Sequence, residues 1–208
     1  MNRRGLLTRG FLGMLAFALP LRHTAAQQPD LSRRAVVDDP AAPRRAGPAY
    51  DVTIVDFFDY NCPYCRRMEV ALNALAAADP KVRIVYRDWP IFGHASREAA
   101  RAAIASQWQG KHGAFHQALL TSPGRLDSAG LRAAAAKAEV NWARLQRDLT
   151  ARATEIDALL ARTNGIAEAL GLNGTPALIV GSEVVPGMVD LPTLRRLVAQ
   201  ARSKPKGR

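Results

Sequence analysis

The spacing of apolar and polar positions changes several times along the chain, and each change marks an element. From Val52 to Phe58 the sequence VTIVDFF is apolar at almost every position and rich in branched and aromatic residues. That is the composition of a strand covered on both faces. Further on, Met68, Ala71, Leu72 and Leu75 recur at i, i+3, i+4 and i+7. They form one face of a helix that stops near Asp79-Pro80. Val82, Ile84 and Tyr86 then alternate with Arg83, Val85 and Arg87, the period of a second strand. Strand, helix and strand within this length predict a βαβ unit with parallel strands.

A long Ala/Leu-rich tract follows, broken at Gly110, Pro123-Gly124 and Asn141. It predicts a helical lobe of four or five helices inserted at about residues 94–170. The core resumes in NGTPALIVGSEVVPG, where ALIV and EVV flank a tight Gly181-Ser182 turn. A last helix follows, with Asp190 as its cap, Pro192 in its first turn and Leu194, Leu197 and Val198 as its buried stripe. The expectation is an α/β fold over residues 50–202, a sheet core carrying an inserted helical domain. Residues 27–49, rich in Pro, Ala and Arg, lack sustained periodicity and read as a linker or N-terminal arm.

Charge raises a question that the N-terminus partly answers. The 208-residue chain carries a formal net charge of +11. Residues 1–26 hold Arg3, Arg4, Arg9 and Arg22 and no acid, and a chain without them carries +7. Their order is a basic start, a short apolar run (GFLGMLAFALPL) and small residues Thr24 and Ala26 before Gln27, which is the order of a cleaved secretory signal. The run is shorter than the about 20 residues needed to span a bilayer. Arg3-Arg4 fits a twin-arginine signal or an ordinary basic start, and both stay open. Export predicts a periplasmic location in a Gram-negative cell, where disulfides persist. The remaining basic residues are interspersed with acids, apart from a basic tail at 203–208. No clustered stripe with aromatic partners suggests nucleic acid. No cofactor is called for, and the oligomeric state is not specified.

Cys62 and Cys65 are the only cysteines, spaced Cys-Pro-Tyr-Cys. A structural disulfide would close a very short loop and constrain the unfolded chain little. A zinc site needs two more ligands. His112 and His116 have helical i,i+4 spacing, but they read as exposed helix-face histidines. A two-thiolate Cu(I) site is chemically possible, and so is a binding protein whose cysteines cap a peptide groove. A reactive pair accounts for more of the sequence. Cys62 at the start of a helix would sit beside unpaired N–H groups and the positive end of the helix dipole, which favour thiolate. Pro63, without an N–H, suits the first turn. Cys62 would be the exposed attacking sulfur and Cys65, one turn in, the sheltered resolving one. Pro63 and Tyr64 would then tune the redox poise.

Three other positions bear on this chemistry. Asp56 is a carboxylate inside an apolar strand, where its pKa should rise; it is either a proton relay for Cys65 or a solvent-facing residue on an irregular strand. Glu69, two turns beyond Cys62, is either a weak tuner of the thiolate or, the preferred reading, a plain surface carboxylate. Pro176 in Gly-Thr-Pro stands just before a buried strand, where a trans proline fits poorly. A cis Thr175–Pro176 bond would leave the backbone of Thr175 free to pair with an extended substrate segment.

VDFFDYNCPYC, with Asp56 six residues before Cys62, and the later Gly174-Thr175-Pro176-Ala177 segment together resemble the thioredoxin superfamily. The helical tract between the second strand and that loop is similar to the DsbA-like branch. The resemblance covers about Tyr50 to Arg202 and implies a periplasmic thiol-disulfide oxidoreductase. By position it makes Cys62 the nucleophile, Cys65 the resolving cysteine, Asp56 the buried acid and Pro176 the cis-proline. It also implies exported protein or peptide substrates with thiols or disulfides, and a membrane redox partner that resets the pair. The chain departs from well-studied oxidases of this branch in having Tyr64 where they carry His and Thr175 where they carry Val. The resemblance therefore leaves the direction of exchange, oxidase or reductase/isomerase, open.

Overall fold

The computed structural model describes residues 28–204. The signal reading of residues 1–26 and most of the basic tail lie outside these. Five strands form one sheet in the order β1-β3-β2-β4-β5. At its centre, β2 (Val52–Phe58) runs parallel to β3 (Val82–Asp88) and antiparallel to β4 (Ala177–Val180). The edges are β1 (Arg44–Arg45), antiparallel to β3, and β5 (Glu183–Pro186), antiparallel to β4.

The parallel pair is joined by helix α2 (Pro63–Ala78), as the βαβ pattern predicts, and Met68, Leu72 and Leu75 are buried on its inner face. Between β3 and β4 the chain forms α3 (His94–Ser106), a short 3-10 turn, α4 (His112–Leu120), α5 (Ser128–Lys137), α6 (Trp142–Ala151) and α7 (Ala153–Ala169). Asn141 caps α6 and accepts from the Arg144 N–H. Gly110 turns the chain between the 3-10 turn and α4 at a φ of 68°, a left-handed conformation that glycine adopts without a Cβ penalty. Helix α8 (Leu191–Ser203) closes the fold, capped by Asp190, with Leu194, Leu197 and Val198 against the sheet.

The alternation read in β3 is misleading about its polar positions. Arg83 and Arg87 are as buried as their apolar neighbours, and Arg87 is 0% exposed. The segment before the core covers them. Residues Arg33–Val36 form a short helix, α1, and Val36, Val37 and Ala42 are buried. Arg87 donates to the carbonyls of Ala35 and Val36 and to Asp39, which also accepts from Arg162 of α7. Arg83 binds Asp38 at 2.6 Å. Apolar composition alone does not announce this packing, because the segment is held largely by charge-assisted hydrogen bonds.

Candidate active site

The C-terminal end of β2 delivers the chain to the start of α2, and Cys62 is the residue at the helix N-cap. Its side chain caps nothing, and Pro63 fills the first helical position. The loop is set by Asp59, which accepts from the Asn61 N–H at 2.7 Å and from the Phe92 N–H at 3.0 Å. Its carbonyl accepts from the Cys62 N–H. Asn61 in turn bonds Ser96 and the Leu126 N–H, tying the site to the helical lobe.

Both cysteines are thiols here. In the thiol form Cys62 Sγ donates to the carbonyl of Thr175 at 3.3 Å, and the Thr175–Pro176 peptide is cis. Residues more than a hundred positions apart are thus brought together, because β4 enters the sheet beside β2 directly after Pro176. The Cys65 thiol is the strongest single influence on Cys62 and lowers its pKa. Burial opposes this, while the Thr175 side chain and the backbone N–H groups of Cys65 and Tyr64 add to it. The Cys62 thiol is held at about 6, well below its ordinary value. Cys65 moves the opposite way: burial, the neighbouring Cys62 sulfur and the Asp56 charge push it far up. The Asp59 N–H donates to its sulfur at 3.5 Å.

Asp56 lies under this pair, buried, paired in the sheet with Leu178 and Tyr86. Its Oδ1 has no hydrogen-bond partner among the described residues. Desolvation first, then the charges of Glu69 and Asp88, raise its pKa well above the ordinary carboxylate range. Of the two readings of Asp56, the solvent-facing one is excluded.

Three expectations need correction. Cys62 is not exposed: the residue is 1% accessible, against 2% for Cys65. Pro63 and Tyr64 carry the surface over it, with Tyr64 54% exposed and its ring under the guanidinium of Arg67. Glu69 is not on the surface but buried, facing His116. His112 and His116 are buried as well, and burial first, then the His116 charge, drives His112 well below its ordinary pKa. The sequence held a signal for the histidines. They share the i, i+3, i+4, i+7 face of α4 with Phe115 and Leu119, which is the inward face.

The DSBA-like thioredoxin domain model matches residues 53–199. The chain belongs to this family. Among solved structures, this DSBA-like chain is similar to a thioredoxin-like oxidoreductase from Silicibacter pomeroyi DSS-3, with 44% identity and a TM-score of 0.80 over 84% of this chain and 99% of that one. A periplasmic thioredoxin-like protein from Salmonella enterica serovar Typhimurium matches at 28% identity and 0.75, over 83% and 96%. The thiol-disulfide exchange protein alpha-DsbA2 from Wolbachia pipientis matches at 26% and 0.76, over 81% and 90%. A curated relative, Na(+)/H(+) antiporter NhaA 3 from Salinispora tropica, is 30% identical over 75% of this chain. The chain spans only 24% of that protein's length. Among the described residues no helix is long and apolar enough to cross a membrane.

All seven residues singled out from the sequence for the DSBA-like site (Asp56, Cys62, Pro63, Tyr64, Cys65, Thr175 and Pro176) gather at one end of the sheet. A cleft of about 350 Å³ adjoins them, lined by Thr175, Pro176, Val184 and Gly187 among others. Exposed Tyr64, Ile91, Phe92, Val184 and Met188 come from segments that border the site and offer it apolar surface. Among the described residues, no group of three or more His, Cys, Asp or Glu side chains is arranged to hold a metal ion.

Proposed function

We propose that the protein is a periplasmic thiol-disulfide oxidoreductase acting on exported proteins, with Cys62 as nucleophile, Cys65 as resolving thiol and Asp56 as proton acceptor. The observation that carries the reading is the placement of the two sulfurs: Cys62 at the N-cap of α2, with Sγ 3.3 Å from the carbonyl before the cis Pro176, and Cys65 buried one turn in, which lowers the first thiol and raises the second. An attacking sulfur must be thiolate near neutral pH, and a resolving sulfur must stay protonated until it is needed.

In the reductive direction the Cys62 thiolate attacks a substrate disulfide. The substrate S–S bond breaks, one substrate sulfur leaves as thiolate and the other stays bound to Cys62. Cys65 then loses its proton to Asp56 and attacks Cys62 Sγ, and the second substrate thiolate departs. Oxidation of a substrate dithiol runs the same steps in reverse. An extended substrate segment pairs with the backbone of Thr175, with the apolar residues beside the cleft taking its side chains. Periplasmic location is supported by the signal-like order of residues 1–26 and by the similar Salmonella protein, which is described as periplasmic. A Cys62 thiol near 6 lies between those of thioredoxin, about 7, and DsbA, about 3.5.

The test is reduction of insulin by dithiothreitol with the chain as catalyst. Wild type is expected to accelerate it, Cys62→Ser to abolish the acceleration, and Cys65→Ser to accumulate a mixed disulfide at Cys62. Activity surviving in Cys62→Ser would overturn the assignment, and a tight stoichiometric Cu(I) complex without exchange would replace it with a carrier.

A further inference from the structure

Near the cysteine pair lies a group of buried polar side chains that the exchange steps do not use. Tyr60 Oη is 3.0 Å from His116 Nδ1, and His116 Nε2 is 3.4 Å from Glu69 Oε2. Gln117 Nε2 donates to Glu69 Oε1. Asp56 Oδ1, Glu69 Oε2, His116 Nε2 and His112 Nε2 are all buried without a hydrogen-bond partner among the described residues. Buried polar atoms are nearly always satisfied, so several exceptions in one place ask for a chemical reason.

The groups facing His116 come from each element packed on it. Glu69 belongs to α2, Tyr60 to the loop after β2, Tyr86 to β3, and His112 lies one turn earlier on α4. The charge of Asp88 reaches Tyr60, that of Glu69 reaches Asp56 and Tyr86, and that of Arg45 reaches Tyr86. His116 is thus the one basic group that meets a carboxylate inside this cluster, with His112 stacked beside it at 5.6 Å.

We propose that Glu69 and His116 together form a one-proton store coupled to Asp56, and that His116 is the positioning residue through which this store serves the Cys65 step. The proposal rests on the exchange reading above. With Glu69 ionised and His116 neutral, the pair carries one negative charge; after taking a proton it carries none. Asp56, which has no donor at Oδ1, holds a proton at rest. That proton passes to the pair, and the freed Asp56 carboxylate takes the proton of Cys65. The Cys65 thiolate attacks Cys62 Sγ, the bond from Cys62 to the substrate sulfur breaks, and the electron pair leaves on the substrate as thiolate. The cluster holds the released proton until solvent takes it. A single buried negative charge moves from the store to sulfur, and a second one, which low dielectric penalises heavily, never forms.

Two measurements test this. The first is the pH dependence of mixed-disulfide resolution in wild type, His116→Gln, Glu69→Gln and the double variant, with Cys62 alkylation rate as the control for site integrity. The proposal expects His116→Gln to slow resolution by at least about tenfold at neutral pH and to move its pH profile alkaline. It also expects Glu69→Gln to do the same and the double variant to lose no more than either alone. Resolution in His116→Gln that superposes on wild type at every pH would overturn it. So would additive losses, or a loss uniform in pH that tracks Cys62 alkylation. The second measurement needs no variant: nitrogen-15 NMR of the His116 ring in the reduced chain as a function of pH. A ring that takes up a proton within the folded pH range is expected, and one identical ring state across that range overturns the proposal. This arm separates the two failures. A chain without exchange would show no wild-type resolution at all, while the His116 ring would still take up its proton.

Discussion

Two clusters of buried polar side chains sit on opposite faces of β3, and they are built on opposite principles. In the first, Arg87 spreads its donors over Ala35, Val36 and Asp39, and Asp39 accepts from Arg87, Arg162 and the Ala41 N–H. Every charge there has a partner. In the second, Asp56, Glu69, Asp88, His112 and His116 leave six buried atoms without a hydrogen bond among the described residues, and of these only Glu69 Oε2 and His116 Nε2 face each other, at 3.4 Å. A satisfied cluster stabilises a packing arrangement, here the N-terminal segment on β3. An unsatisfied one costs stability and keeps protonation states within reach of each other. The second cluster lies beside the cysteines, and the first does not.

The largest expected effect comes from breaking the first cluster. Arg87→Leu strips donors from two carbonyls and leaves Asp39 with Arg162 and the Ala41 N–H. Removal of one member of a buried ion pair costs about 3–5 kcal/mol. Urea unfolding should show a loss of that order, while the folded fraction keeps its insulin-reduction rate. A fall in rate with unchanged stability would erase the distinction between the clusters.

The stability contributions of the two clusters depend on pH with opposite signs. Burial pushes Asp39 up, but the Ala41 N–H and the charges of Arg87 and Arg162 prevail and hold it below the ordinary carboxylate range. Its contribution is present above the unfolded value of about 3.9 and is lost as pH falls through the lower folded value. Asp88 is raised to about 8, chiefly by burial. Its contribution is full below about 3.9 and is lost as pH rises from there to about 8. Asp88→Asn should therefore gain stability over wild type most at pH 8 and least at pH 4, followed by thermal unfolding across that range. A gain independent of pH would show that Asp88 is ionised in the folded chain.

A smaller effect is expected at Thr175. Its hydroxyl is among the groups that lower the Cys62 pKa, and Thr175→Val keeps the shape while removing it. The midpoint for Cys62 ionisation should rise by about one pH unit, the scale of one hydrogen bond to a charged group. An unchanged midpoint would assign the lowering to Cys65 and the helix start alone.

Much of this was legible in the sequence, and what was not has common physical causes. The periods of β2, α2 and β3 and the Cys-Pro-Tyr-Cys spacing are local signals, and they foretell the core and the reacting atoms. Periodicity misassigns Arg83, Arg87, Glu69, His112 and His116 because it equates polar with exposed. Each of these side chains is buried by a partner distant in the chain: Asp38 and Asp39 for the arginines, and α2 against α4 for Glu69 and His116. The burial of Cys62 has the same origin, since Thr175 reaches it only after the whole helical lobe has intervened. Residue type alone does not mark Asp59, whose role is to hold backbone N–H groups of the active-site loop.

The two sulfurs are chemically unequal, and the pH dependence of alkylation of the reduced chain, read site by site by mass spectrometry, tests this. Cys62 should be modified alone, with a half-maximal rate at about pH 6, and Cys65 should stay unmodified while the protein is folded. Equal labelling of both cysteines, with a common midpoint near the ordinary thiol value of about 8.5, would show the two thiols to be equivalent.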